Sequence, residues 1–263
     1  MNYFKITTKL YIIIVFLLTL NCYSQNNLLK YKCYFNTSFP FTMDAYLQFN
    51  DESSYFKVDF NTRKITREHL SELKDTEPLI KPLNKIDLYY FKKDSLVLNY
   101  TEWLGKEEVL IKDELPRIDW VITNETKQIN KFLAYKATGD FRGRKWISWF
   151  TPDLPYSFGP WKLNGLPGVI LLAYDSEQRY SYQLVEIIAQ SDLKLREEFL
   201  KKTKNIRELP LKIYWEEYWE GLENAINLAA TNHRATVTSK NDIRTKNSRM
   251  ELIYEWEEDV KRE

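Results

Sequence analysis

Cysteine and histidine are almost missing from this chain, which has two of each among 263 residues: Cys22 and Cys33, His69 and His233. A zinc site needs three or four nitrogen, sulfur or carboxylate ligands brought together. These four residues are scattered over separate segments, so no metal and no other cofactor is expected. Neither charge sign is in excess, with 38 Lys and Arg against 37 Asp and Glu. Without a basic field to neutralise phosphates, nucleic acid is not an expected partner. Long apolar runs are also lacking, apart from Leu10 to Leu20, which falls short of the roughly 20 residues that a membrane-spanning helix requires.

That one run sits where a secretory leader would carry it. Lys5 and Lys9 precede it, and the small residues Cys22 and Ser24 follow. Residues 1–24 are read as a signal peptide cut after Ser24; in the alternative reading the leader is that of a lipoprotein and Cys22 is acylated. Cleavage takes two lysines from the 38 basic residues and nothing from the 37 acidic ones, leaving 36 against 37, a net charge of about −1. Cys33 is then the sole cysteine, so no internal disulfide forms although an exported compartment would permit one. Between Lys32 and Tyr34 it reads as a small buried strand residue. The expected location is the periplasm or outer membrane, or outside the cell, with no transmembrane span in the mature chain.

What is present is apolar and aromatic material, 44% and 15% of the residues, enough to fill a sizeable core. Before residue 190 it alternates with period two, the mark of strands. Tyr31, Cys33 and Phe35 fall on one face; so do Ala45, Leu47 and Phe49, and then Phe56, Val58 and Phe60. Two runs flank Lys92 to Ser95, which predicts a hairpin. Ile65 to Leu83, with Pro78 and Pro82, reads as a surface excursion with a helical turn around "REHLSELK". After Ala189 the period changes. "SDLKLREEFLKKTKNI" offers Ser191 and Asp192 as caps and the i,i+4 pairs Glu197–Lys201 and Glu198–Lys202. "YWEEYWEGLENAINLAA" sets Tyr214, Tyr218, Leu222, Ile226 and Ala229 on one stripe. The expected fold is mainly β (α+β): a curved antiparallel sheet forming a partial barrel or sandwich, with C-terminal helices packed on it. Residues 25–190 form the β domain and 191–263 its helical extension, ending in a short terminal helix.

Five of the seven glycines, at 139, 143, 159, 165 and 168, cluster with Pro152, Pro155, Pro160 and Pro167. Pro167 followed by Gly168 suits a type II turn, with positive φ at the glycine. Gly159 and Gly165 would let a neighbouring backbone or ring lie close, with Trp161 the candidate ring. "VILLA", apolar at consecutive positions, reads as a strand buried on both faces.

This corner, together with "ETKQI" and "YKATGDFRGRKWISWFTPDLPYSFGPWKLNGLPGVILLAYD", resembles the GLPGLI family of exported Bacteroidetes proteins, whose motif here reads Gly165-Leu166-Pro167-Gly168-Val169-Ile170, with Gly159 and Pro160 ahead of it. The likeness covers Trp120 to Ile188 and weakens in the N-terminal strands. It departs from the family at Lys131 and Ala134, where a glycine and a cysteine are usual, so no disulfide or metal role carries over from that cysteine. The family has no established activity. The resemblance implies export, an envelope setting and an accessory role beside an outer-membrane TonB-dependent receptor.

The corner offers no nucleophile with a base beside it; its charges are Lys162 and Asp175. "GDFRGRK" lacks the spacing and the Ser or Thr of a phosphate loop. Arg142, Arg144 and Lys145 beside Trp146 and Trp149 suit an anion site, but read first as a solvated strand edge. Trp146, Trp149 and Trp161 read first as core rings and, alternatively, as a platform for stacking on sugars. The neighbouring carboxylates Glu216 and Glu217, or Asp175 and Glu177, have the form of an acid and base pair, yet such neighbours arise by chance among 37 acidic residues. His233 reads as a helix-end residue favoured by the dipole. The leading expectation is a non-enzymatic binding or accessory module for a small apolar or sugar ligand. The alternative is a secreted, glycosidase-like hydrolase working through carboxylates, and a third reading is a purely structural envelope protein.

Overall fold

The computed structural model describes residues 28–37, 40–65, 86–92, 95–189, 191–231 and 250–259. The leader, Cys22, His69, His233 and the excursion beyond Ile65 lie outside the described residues. Twelve described strands form one sheet: β1 (Leu28–Phe35), β2 (Phe41–Phe49), β3 (Ser53–Ile65), β4 (Ile86–Lys92), β5 (Val97–Leu104), β6 (Glu107–Glu114), β7 (Val121–Ile129), β8 (Phe132–Phe141), β9 (Arg144–Thr151), β10 (Val169–Asp175), β11 (Tyr180–Ile188) and β12 (Arg207–Pro210). Three helices accompany it: α1 (Leu195–Thr203), α2 (Leu211–Thr231) and α3 (Glu255–Asp259). The chain is mainly β, as expected, with one curved mixed sheet that is not closed into a barrel and few helices.

The spatial order is β12-β6-β5-β4-β3-β2-β1-β11-β10-β9-β8-β7. Every pairing is antiparallel except that of β12 with β6. One meander runs outward from β1 to β6, a second runs inward from β7 to β11, and the two join where β1 pairs with β11. In a flat sheet β6 and β7 would lie ten strands apart, about 48 Å. The chain joins them through residues 115–120, which span at most about 25 Å. The sheet therefore curls until its outer strands approach each other, and Arg142, at the β8–β9 turn, does hydrogen-bond Asp113 on β6.

Alternation fixes which side chains enter the concave face. Met43, Ala45 and Leu47, Phe56 and Val58, Tyr89 and Phe91, and Leu98 and Tyr100 are all buried. Val169, Ile170 and Leu171 are fully buried at consecutive positions, so the start of β10 is covered on both faces, whereas from Leu171 onward burial alternates, with Leu172 and Tyr174 half-buried. The outer face carries α1, whose Phe199 meets the Tyr55 and Tyr90 rings. Neither Ser191 nor Asp192 caps this helix. Its first amide at Leu195 donates to Gln48 Oε1 at 3.0 Å, a tertiary cap invisible to local pattern. Its charges also bond outward, Glu198 to Lys57 and Lys202 to Glu108, where pairs along the helix were expected. Along the apolar stripe of α2, Tyr214 is buried, as is Leu211 one turn before it, and Tyr218 and Leu222 are half-buried; Leu228, off the stripe, is 66% exposed. The side chains of Ile226 and Ala229 lie outside the described ones.

Candidate functional site

The Gly- and Pro-rich corner packs into the core, with Phe158, Trp161, Leu163 and Leu166 all buried. After β9 the chain folds inward as a compact loop held by its own backbone: Gly165 N donates to Ser157 O at 3.0 Å, and Ile170 N to Phe158 O at 3.2 Å. Trp120 Nε1 donates to Asn164 O at 2.8 Å, and the Tyr31 hydroxyl donates to Ile170 O at 2.7 Å. The expected type II turn is not formed, because positive φ belongs to Gly165 (93°) and Trp161 (56°) and not to Gly168. Gly168 is needed for space: a Cβ there would lie 2.1 Å from Thr151 O. Gly159 is likewise crowded by Ile170 and Leu163 O, and the ring beside Gly165 is Trp120 where Trp161 was expected.

The loop carries Trp161 and Lys162 to the concave interior, where Trp161 packs against Phe141 and Trp146. Lys162 Nζ donates to Asp113 Oδ2 at 2.7 Å and Glu251 Oε2 at 2.8 Å. Arg142 reaches the same carboxylates from the two-residue β8–β9 turn, in which both Arg142 (45°) and Gly143 (81°) have positive φ. Its guanidinium holds Asp113 through two hydrogen bonds of 2.9 and 2.7 Å, Glu251 at 2.6 Å and Glu255 at 3.0 Å. Two buried cations thus face two buried anions, with Glu255 at the rim. Burial alone would raise the Asp113 carboxyl, but the charge of Lys162 and the hydrogen bonds from Arg142 outweigh it and hold it below the usual range. The same exchange, burial opposed by Glu251 and Asp113, leaves the guanidinium more firmly protonated than usual.

Arg142 and Arg144 are therefore not a solvated strand edge. Their relative exposures are 7% and 3%, and Arg144 donates to Asp175 Oδ2 at 3.1 Å. Asp175 also accepts the Arg179 and Tyr180 amides at 2.7 and 2.8 Å, which fixes the β10–β11 turn. The three tryptophans form no common platform. Trp146 is fully buried, Trp149 lies on the opposite face of β9 under Lys127, and Trp161 alone reaches the cleft described next.

Beside the loop, an open cleft of about 260 Å³ remains in the concave face. Tyr89 and Tyr100 line it as a stacked pair with centroids 5.2 Å apart, joined by Phe60, Trp161, Tyr182, Tyr214, Trp215 and Tyr254. Asp87, Glu102 and Glu251 bring carboxylates to its wall, and Lys162 an ammonium. Burial, then Asp87, Glu102 and Glu251, push the Tyr89 phenol well above its usual range, and burial with Asp113 does the same for Tyr100. Both are thus hydroxyls able to donate. Sequence reasoning missed these residues, although one signal was available: Asp87 shares the inward parity of Tyr89 and Phe91, and Glu102 that of Tyr100 and Leu98. Among the described residues no group of three or more His, Cys, Asp or Glu is arranged to hold a metal ion.

No protein-family model matches the chain, and neither does any curated protein. Among solved structures, PNGF-II in space group C2 superposes with a TM-score of 0.47 at 17% identity, over 73% of this chain and 32% of that one. PNGF-II in space group P21 gives 0.48 at 16%, over 73% and 33%. An uncharacterised conserved protein from Thermus thermophilus gives 0.35 at 10%, over 70% and 90%. The chain spans about a third of PNGF-II, and likenesses at this level carry no functional argument.

Proposed function

We propose that this chain is an exported cell-envelope protein of the GLPGLI type that binds a small ligand in its concave cleft, as a non-enzymatic module or an accessory to a TonB-dependent receptor. The observation that supports binding is the cleft, about 260 Å³ of open space walled by aromatic rings between the loop, the start of α2 and the segment at Glu251. Pockets of this make-up, apolar with a few placed polar groups, are the usual seats of small ligands. Incubating the mature protein with the small molecules of its native envelope, then desalting and identifying what stays bound by mass spectrometry, tests the reading. A retained compound that shifts tryptophan fluorescence supports it; retention of none refutes it. Pull-down from the same envelope tests the receptor. A mature N-terminus at Gln25 supports export by signal-peptide cleavage, and a diacylated Cys22 replaces that with a lipoprotein.

The second reading, a carboxylate-dependent hydrolase, draws on Asp87, Glu102 and Glu251 sharing one cleft. Turnover of chromogenic glycosides that disappears in Glu102→Gln would establish it over simple binding.

A further inference from the structure

We propose that the ligand of this cleft is an organic ammonium, a small primary or quaternary amine carried on an aromatic or apolar body. This rests on the ligand-binding reading above and adds the charge class. Aromatic faces attract cations through their quadrupole, most strongly where water is excluded. Two walls of the cleft already do so within the protein: Lys162 Nζ lies 4.5 Å from the centroid of Tyr100, and the Arg142 guanidinium 5.3 Å from that of Tyr254. Of its three carboxylates, Glu251 is offset by Lys162 and Arg142, so the negative character of the wall comes from Asp87 and Glu102. The Lys162 ammonium is committed to Asp113 and Glu251 at 2.7 and 2.8 Å.

Asp87 and Glu102 stand on β4 and β5 beyond the Tyr89–Tyr100 pair, at the positions that complete the inward rows. A carboxylate accepts through both oxygens and about four lone-pair sites, so a partner elsewhere leaves room for a ligand N–H. An anion entering here would meet like charge from Asp87 and Glu102. A ring-bearing amine would lay its ring against the tyrosines and set its nitrogen toward Glu102 and Asp87.

Calorimetry on the mature chain with three probes sharing one ring decides the matter: tyramine, a cation; tyrosol, its neutral counterpart; and 4-hydroxyphenylacetate, an anion. Tyramine is expected to bind about tenfold more tightly than tyrosol, and the anion most weakly. Benzyltrimethylammonium should bind as well, and added salt should weaken both cations. Glu102→Gln and Asp87→Asn, each checked for an unchanged melt, should bring tyramine down to the level of tyrosol; two variants are used so that misfolding of one does not decide the result. Equal affinity for tyramine and tyrosol, or preference for a neutral methyl glycoside, overturns the ammonium assignment and leaves the binding reading standing. Failure of all four aromatic probes also overturns it, and the binding reading is then judged by the envelope extract alone.

Discussion

A single methyl group at Gly168 should cost more than at any other glycine described here. The ideal Cβ would lie 2.1 Å from Thr151 O, 2.6 Å from Thr151 C and 3.1 Å from Pro152 N. All three are backbone atoms, so no side chain can rotate away. Thr151 pairs with Val169, the residue after the glycine, at the end of the β9–β10 ladder, and relief requires the two strand ends to part by about 1.4 Å to reach an ordinary contact. Overpacking of this kind costs 1–3 kcal/mol and at times more; with a rigid neighbour the upper end applies, about 3 kcal/mol, which lowers the melting temperature by roughly 6–12 °C in a domain of this size. Two controls separate crowding from backbone conformation. Gly165→Ala meets nothing closer than Trp120 at 3.8 Å but has φ of 93°, so it should lose about 1–2 kcal/mol. Gly221→Ala meets open space inside α2 and should gain up to about 1 kcal/mol from helix propensity. Thermal melts followed by circular dichroism report all three. A Gly168→Ala melt within roughly 2 °C of the parent would refute the crowding argument.

Glu251→Gln removes one anion from a buried set of two cations and two anions and should destabilise by about 3 kcal/mol, read by urea titration; a loss no larger than that of a surface control would mean the set is not a stabilising unit. The depressed Asp113 carboxyl sets the sign of the acid response. Its contribution is fully present above the unfolded value, about pH 4, and is lost as the pH falls through the lower folded value. The urea midpoint should thus fall with acid below about pH 4, and a midpoint rising there contradicts the assignment. Burial raises the Cys33 thiol well above its usual range, so a disulfide reagent should leave it intact in the native protein and modify it in urea; rapid native labelling would contradict the buried placement.

The strands were legible because period-two alternation survives wherever one sheet face is buried, as along Met43, Ala45 and Leu47. "VILLA" was legible in its first three residues, Val169 to Leu171, which are buried without a break; Leu172 is half-buried, so the expectation of two fully covered faces holds only for the start of the strand. The corner was visible as a concentration of Gly and Pro, but its meaning was not, since the value of Gly168 depends on Thr151, a residue on the preceding strand. The charge set was hidden for a similar reason. Arg142, Lys162, Asp113 and Glu251 come from four separate segments, and each alone has the composition of a surface residue. β12 escaped notice because Arg207–Pro210 has only four residues and no apolar rhythm; its register against β6 is supplied by the sheet.

The ladder between Leu28–Phe35 and Tyr180–Ile188 also orders the making of the molecule. Until the last of these residues leaves the ribosome, the first strand has a partner on one side and a bare row of amides and carbonyls on the other, the kind of surface on which chains stick to one another. Each meander zips from near neighbours, but the seam between them closes late. Chains halted just short of Tyr180 should therefore be the species that clump during synthesis.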